Sequence, residues 1–281
     1  MKRMIAFIVV IALTAIISIG LYAYLTERAT YPPNVVLSKV SSKVLGQERE
    51  LIIHLPLNYS QAKKYPVLYV MDGGAQDGHI ANKFEVLAAA GCAPETIVVG
   101  IPNMTAENRQ YDMIPPYMAT DTVKGSPMGR ADKFLQFMKY ELFPYMAQHY
   151  SASNTRLFAG HSRGGLLVMY SLAYQPRMFQ ARFCFSPALW RDHAVIVSKT
   201  SELFSTRDRI SGFLYLSLGD KETGKMEPAF NEMASVFREQ APKGLTWYAD
   251  RTLNADHQNN AQRSAALAIA KWGTYTKAAP Q

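Results

Sequence analysis

Cysteine is nearly absent from this 281-residue chain, which has only Cys92 and Cys184. Two cysteines make no disulfide scaffold. Cys184 lies in the apolar run Phe183-Cys184-Phe185 and reads as a small core residue rather than a reactive thiol. No C-x-x-C or H-E-x-x-H spacing occurs, so no metal site is expected. No segment gathers Arg and Lys among aromatics, so the net charge of +8 reads as solvated basic surface rather than a nucleic-acid site. Such a surface could still attract anionic lipid headgroups or anionic substrates. Internal repeats and low-complexity tracts are also missing, which leaves one large α/β domain after the N-terminal segment.

Charge is absent from Met4 to Leu25, with Lys2 and Arg3 before and Glu27 and Arg28 after. A run of that length can cross a bilayer as a helix. The basic pair holds its start on the cytoplasmic side, so the remainder is exported. The run is longer than a usual signal-peptide apolar region. No clear A-x-A site follows it; Ser18-Ile19-Gly20 is the best small-x-small candidate. The expectation is an uncleaved anchor over residues 1–29, with residues 30–281 as the catalytic domain on the periplasmic or extracellular side of the inner membrane. A soluble exported protein after cleavage is the alternative.

What is present suits a buried core: 48% hydrophobic and 11% aromatic residues. Residues 34–41 and 47–57 read as paired strands. Buried strands are expected at 65–71, 96–101, 155–159, 182–186, 213–218 and 245–249. Helices are expected at 83–90, 131–148, 192–204, 228–240 and 259–272. Pro144 should kink the helix at 131–148 or end its regular part. Residues 102–129 carry several prolines and glycines without periodicity, as a functional loop or lid would. Strands alternating with helices imply a mostly parallel, twisted sheet covered on both faces.

One pentapeptide dominates: Gly160-His161-Ser162-Arg163-Gly164, a G-x-S-x-G string between a strand-like and a helix-like run. A strand that turns sharply into a helix at a serine exposes that hydroxyl as a nucleophile. A serine hydroxyl needs a base within hydrogen-bond reach, and the base needs an orienting acid. In α/β-hydrolases the chain order is serine, acid, histidine. Of six histidines, only His193 and His257 follow Ser162. His193 comes too early, at the start of a helix. His257 lies before the final helix, where the base belongs. His161 reads as packing support. The acid should follow the strand at 213–218, where Glu222 and Asp220 compete; Glu222 is preferred for its room to reach back, and Asp256 is a poor third. Of the two oxyanion-hole donors, one should be the N–H of Arg163 and the other that of Gly73, with Gly74 close behind.

These residues resemble the Putative esterase family of α/β-hydrolases, which includes enterochelin and other siderophore esterases, S-formylglutathione hydrolases, feruloyl esterases and mycolyltransferases. The likeness runs from about Val35 to Trp272 and is strongest toward the siderophore-esterase branch. It is carried by Val67 to Gly73, by Val99-Gly100-Ile101 with Arg109, Asp112 and Pro115, by Phe134-Leu135 through Tyr145, by the serine motif with Gly165, and by Ser186-Pro187-Ala188-Leu189-Trp190. The resemblance implies an α/β-hydrolase fold and a serine esterase of a small-molecule ester, acting through an acyl-enzyme without cofactor. Ser162 would be nucleophile, His257 base, and Glu222 or Asp220 acid. Arg109 and Asp112 correspond to a family pattern that ties down the long loop over the site. Many relatives carry an aliphatic residue where this chain has Arg163, whose cation could meet an anionic substrate or an internal carboxylate. Acyl transfer and a membrane-anchored binding module are the competing readings.

Overall fold

A computed structural model describes residues 2–29, 31–121 and 123–278, with side chains described only for 9–22 within the first helix. The chain divides into two compact units, Met1–Val35 and Val36–Gln281. The first unit holds α1, Lys2–Ala29. The apolar side chains described along it, such as Val10, Ile16 and Ile19, are exposed. The side chains of Lys2, Arg3, Glu27 and Arg28, on which the expected orientation rests, lie outside the described residues. Among the described residues, no helix is long and apolar enough to cross a membrane.

The second unit is built on an eight-stranded sheet. Its strands are β1 Val35–Ser42, β2 Gln47–His54, β3 Tyr65–Met71, β4 Ile97–Ile101, β5 Ala152–His161, β6 Ala181–Phe185, β7 Arg209–Gly219 and β8 Lys243–Thr252. Their spatial order is β1-β2-β4-β3-β5-β6-β7-β8. β2 runs antiparallel to β4, and from β4 through β8 every neighbour pair is parallel. The side-chain period of two divides the core. Val67, Tyr69 and Met71 of β3 face one hydrophobic cluster, and Leu68 and Val70 face the other. The second cluster is closed by α2 (Asp77–Ala89) and α9 (Asn260–Ala278), through Ile80, Phe84, Ile269 and Trp272. The first cluster is covered by α6 (Arg163–Tyr174), α7 (Arg191–Ser205) and α8 (Met226–Gln240), together with the helical stretch from 131 to 149. A parallel sheet buried on both faces explains why its strands read as continuous apolar runs.

The expected helix at 131–148 is interrupted. α4 (Ala131–Phe137) passes into a π turn over Met138–Leu142 before α5 (Phe143–His149). Pro144 is the second residue of α5 and directly follows the π turn, within backbone that stays helical through Leu142 and Phe143. The widened turn directs Glu141 onto the β1–β2 hairpin, where its carboxylate accepts from Ser42 Oγ (2.5 Å) and from the N–H groups of Lys43 and Val44.

The long 102–129 segment is less irregular than its sequence suggests, because α3 spans Ala106–Met113 within it. Thr105 starts this helix, its hydroxyl accepting from the N–H of Asn108 at 3.0 Å. Arg109 and Asp112 on this helix take separate partners. Arg109 grips Asp72 through two hydrogen bonds of 2.6 and 2.9 Å. The buried Asp112 pairs with Arg49 and with Arg130. The segment is therefore tied to the domain by two ion-pair sets, one beside the β3 loop and one in the interior.

Candidate functional site

Four loops meet at the carboxyl edge of the sheet, after β3, β5, β7 and β8, where a parallel α/β sheet opens a crevice. The loop after β5 is a single residue, Ser162, held at φ 56° and ψ −115° between β5 and α6. A non-glycine side chain at positive φ is strained and needs its surroundings to hold it. The Ser162 N–H donates to the Phe185 carbonyl at 3.0 Å, and its own carbonyl accepts from Leu166 and Ala188. A Cβ at position 160 would overlap the carbonyl of Gly164, and one at 165 would lie 2.9 Å from Pro187 Cα. Gly160→Ala is accordingly expected to cost about 3 kcal/mol, the upper part of the overpacking range, and to lower the thermal midpoint. Calorimetry on the purified variant measures it, and an unshifted midpoint would contradict the packing.

Ser162 Oγ lies 3.1 Å from His257 Nε2, and His257 Nδ1 lies 2.7 Å from Glu222 Oε2. The structure thus brings the expected serine, histidine and first-choice acid into one hydrogen-bonded chain. Glu222 is buried, and its other oxygen accepts from Ser186 Oγ at 2.5 Å and from the Gly219 N–H at 2.9 Å. Burial alone would raise its pKa. The hydrogen bonds from His257, Ser186 and Gly219 outweigh that effect and hold it below the usual carboxylate value. Asn260, wholly buried at the start of α9, donates to Ser186 Oγ and Ser217 Oγ and fixes this support.

The second carboxylate has a different task. Asp220 accepts from the N–H groups of Asn254 and Ala255 at 2.9 and 3.1 Å, pinning the loop that carries His257. Asp256 accepts from the N–H groups of Gln258 and Asn259 and so precedes α9 as a local cap. His161, expected only to pack, makes a specific bond: its Nε2 lies 2.7 Å from the His257 carbonyl, with the two rings 4.7 Å apart. Desolvation, with His257 close by, lowers the His161 pKa. His193 lies on a different structure, a run of three residues with left-handed backbone (Asp192, His193 and Ala194) at the start of α7.

The loop after β3 differs from expectation. The Gly73 N–H donates to the Ile101 carbonyl at 3.0 Å, and the Gly74 N–H donates to Asp77 Oδ1 at 2.5 Å. Both expected donors are thus engaged by acceptors of their own. The parallel pairing of β3 with β4 carries two residues past the strand and consumes Gly73. Asp77, anchored in turn by His54 at 2.6 Å, consumes Gly74. Arg163 opens α6, where the first N–H groups of a helix have no helical acceptor.

His79 lies on α2 beyond this loop, and desolvation, reinforced by Lys83, pushes its pKa down to about 4. As the pH falls, the unfolded chain therefore takes up a proton before the folded one. The contribution to stability present above pH 6.5 is lost between there and about 4. The melting temperature of the wild-type chain should drop over that window, and the drop should shrink in His79→Gln; equal slopes would refute the assignment.

Ser162, Arg163 and His257 open into a cavity of about 560 Å³, lined also by Arg109, Arg191, Lys225 and Trp190. The ammonium of Lys225 lies 4.8 Å from the Trp190 ring centre and the guanidinium of Arg191 5.7 Å from it. Asp121 is the acidic residue among the described lining. Burial, then Arg191 and Arg109, lower the Arg163 pKa. Among the described residues, no group of three or more His, Cys, Asp or Glu is placed to hold a metal ion.

Sheet order, crossover pattern and strand-edge serine define an α/β-hydrolase fold. Residues 42–267 match the family described as Putative esterase, and the chain belongs to that family. It is 27% identical over 198 residues to the ferri-bacillibactin esterase BesA of Bacillus subtilis, covering 64% of this chain and 67% of that protein. It is 26% identical over 152 residues to the siderophore triacetylfusarinine C esterase of Aspergillus fumigatus, half the length of each. Among solved structures, an IroE-like serine hydrolase from Shewanella oneidensis superposes with a TM-score of 0.75 at 25% identity, covering 85% of this chain and 79% of that one.

Proposed function

We propose that the protein is a serine hydrolase of carboxylic esters, working through an acyl-enzyme. The observation that carries this reading is the continuous chain Ser162 Oγ–His257–Glu222 at 3.1 and 2.7 Å. His257 Nε2 removes the serine proton as Oγ attacks the ester carbonyl. Glu222 keeps the His257 proton on Nδ1 and stabilises the imidazolium that forms. The N–H of Arg163, at the positive end of α6, receives the developing oxyanion. The imidazolium then returns its proton to the departing alcohol, leaving the acyl group on Ser162. Water activated by the same imidazole releases the acid.

Arg163, Arg191 and Lys225, which outnumber Asp121 in the lining, together with Trp190 favour an ester that is anionic and carries an aromatic or other planar face. Relatives named as siderophore esterases agree with that choice. The test is a substrate panel on the purified chain: neutral and anionic aryl esters of short and long acyl chain, a thioester and a cyclic catecholate trilactone. Higher kcat/KM for the anionic esters and the trilactone supports the reading; turnover of none of them defeats it. We also propose that residues 1–29 tether the domain to a membrane, with residues 30–281 exported, on the strength of the uncharged run Met4–Leu25. Recovery of the full chain from washed membranes only after detergent supports this, and recovery in the soluble fraction opposes it.

A further inference from the structure

A second cavity, of about 550 Å³, lies away from the serine and is lined by Lys139, Arg156, Arg177 and Arg207, with Tyr174 and Phe143. Its position follows from the topology. Arg156 is midway along β5, one residue before Leu157, which pairs with the first residue of β6, whereas Ser162 follows the end of β5. Six residues of strand separate them by about 20 Å. Arg177 comes from the α6–β6 connection and Arg207 from the α7–β7 connection, so both sit at the amino edge of the parallel sheet.

Every lining charge is positive. Among the described residues none of the four cations pairs with a carboxylate. Of the acids on the neighbouring helices, Glu141 bonds to the β1–β2 hairpin and Glu202 to Lys199. Some of the carbonyls at and just after the end of α6, which would lend the cavity negative potential, are taken by a cation of the interior. The wholly buried Arg182 collects those of Ser171, Gln175 and Pro176, together with that of Phe179. The Arg156 guanidinium lies 4.6 Å from the ring centre of Phe143, which also lines the cavity. Three guanidinium forks and an ammonium around one cavity, none of them in an ion pair among the described residues, match a multiply charged tetrahedral anion better than a single carboxylate.

We propose that this cavity is a binding site for a phosphate-bearing anion, separate from the ester site. The phosphate could belong to a soluble phosphorylated compound or to a phospholipid headgroup, and the same chemistry serves both. Inorganic pyrophosphate titrated calorimetrically into the full chain in non-ionic detergent should bind one to one. Affinity should fall about tenfold in Arg177→Gln/Arg207→Gln, as loss of charge-assisted contacts predicts, and ester turnover should stay unchanged. Arg156→Gln provides a second variant whose folding is checked by its melting curve. Flotation of full-length chains with phosphatidylglycerol-containing or pure phosphatidylcholine vesicles separates the sources. A preference for the anionic vesicles that the double variant loses assigns a headgroup, and pyrophosphate binding without that preference assigns a soluble ligand. No saturable binding in either arm, or equal binding by the variants, overturns the site.

Discussion

Turnover of an aryl ester should fall by at least about 10⁴-fold in Ser162→Ala, with KM little changed, and covalent labelling by a fluorophosphonate should disappear. The magnitude follows from the division of labour in the cavity. Without the hydroxyl there is no acyl-enzyme, and His257 can only activate water in a geometry set for serine. The residual rate would come from binding and from the N–H groups at the start of α6. A variant that keeps wild-type turnover would remove the proposed mechanism altogether. Retained labelling would move the nucleophile to another residue. The substitution is small and relieves strain at a positive φ only slightly, so folding should survive it.

Glu222→Gln should lower kcat by about 10⁴-fold while leaving the melting temperature close to wild type. Glutamine fits the same space but can turn its amide N–H toward His257 Nδ1. That donor would push the ring proton onto Nε2, the atom facing Ser162 Oγ, and the base would be lost. Asp220→Asn tests the alternative acid. Its carboxylate is bonded to the backbone of Asn254 and Ala255, so its removal should loosen the histidine loop but leave most of kcat. A larger kcat loss in Asp220→Asn than in Glu222→Gln would reverse the assignment. Glu222 also links folding to acid. Its folded-state pKa is depressed, so its contribution is present above the ordinary carboxylate pKa and is lost as the pH falls through the depressed value.

Much of this site was legible because its logic is sequential. Strand, G-x-S-x-G and helix read directly as the turn at Ser162, and the serine–acid–histidine order pointed to residues that the fold brings together. Burial supplied the distinction between Glu222 and Asp220, since only the former reaches inward past Gly219 to Ser186. The engagement of Gly73 and Gly74 was not legible. It depends on the register of β3 against β4 and on Asp77 folding back from α2, neither of which leaves a local pattern. α3 was hidden for another reason: its sequence, AENRQYDM, is too polar to show an apolar stripe, and its stability comes from the Thr105 cap and two ion-pair sets. The π turn at Met138–Leu142 was foreshadowed only by Pro144. The serine supporting Glu222, Ser186, carried no signal beyond its place in the family-like stretch.

The three groups of the hydrogen-bonded chain enter the molecule from β5, β7 and β8, in the order the ribosome delivers them. A nascent polypeptide therefore exposes hydroxyl 162 well before it owns the imidazole, and the amide of Asn260 that braces the acid arrives later still. On the proposed mechanism, that serine stays as inert as any other until synthesis reaches α9, and biosynthesis itself would delay the chemistry until the last layer of the domain has closed.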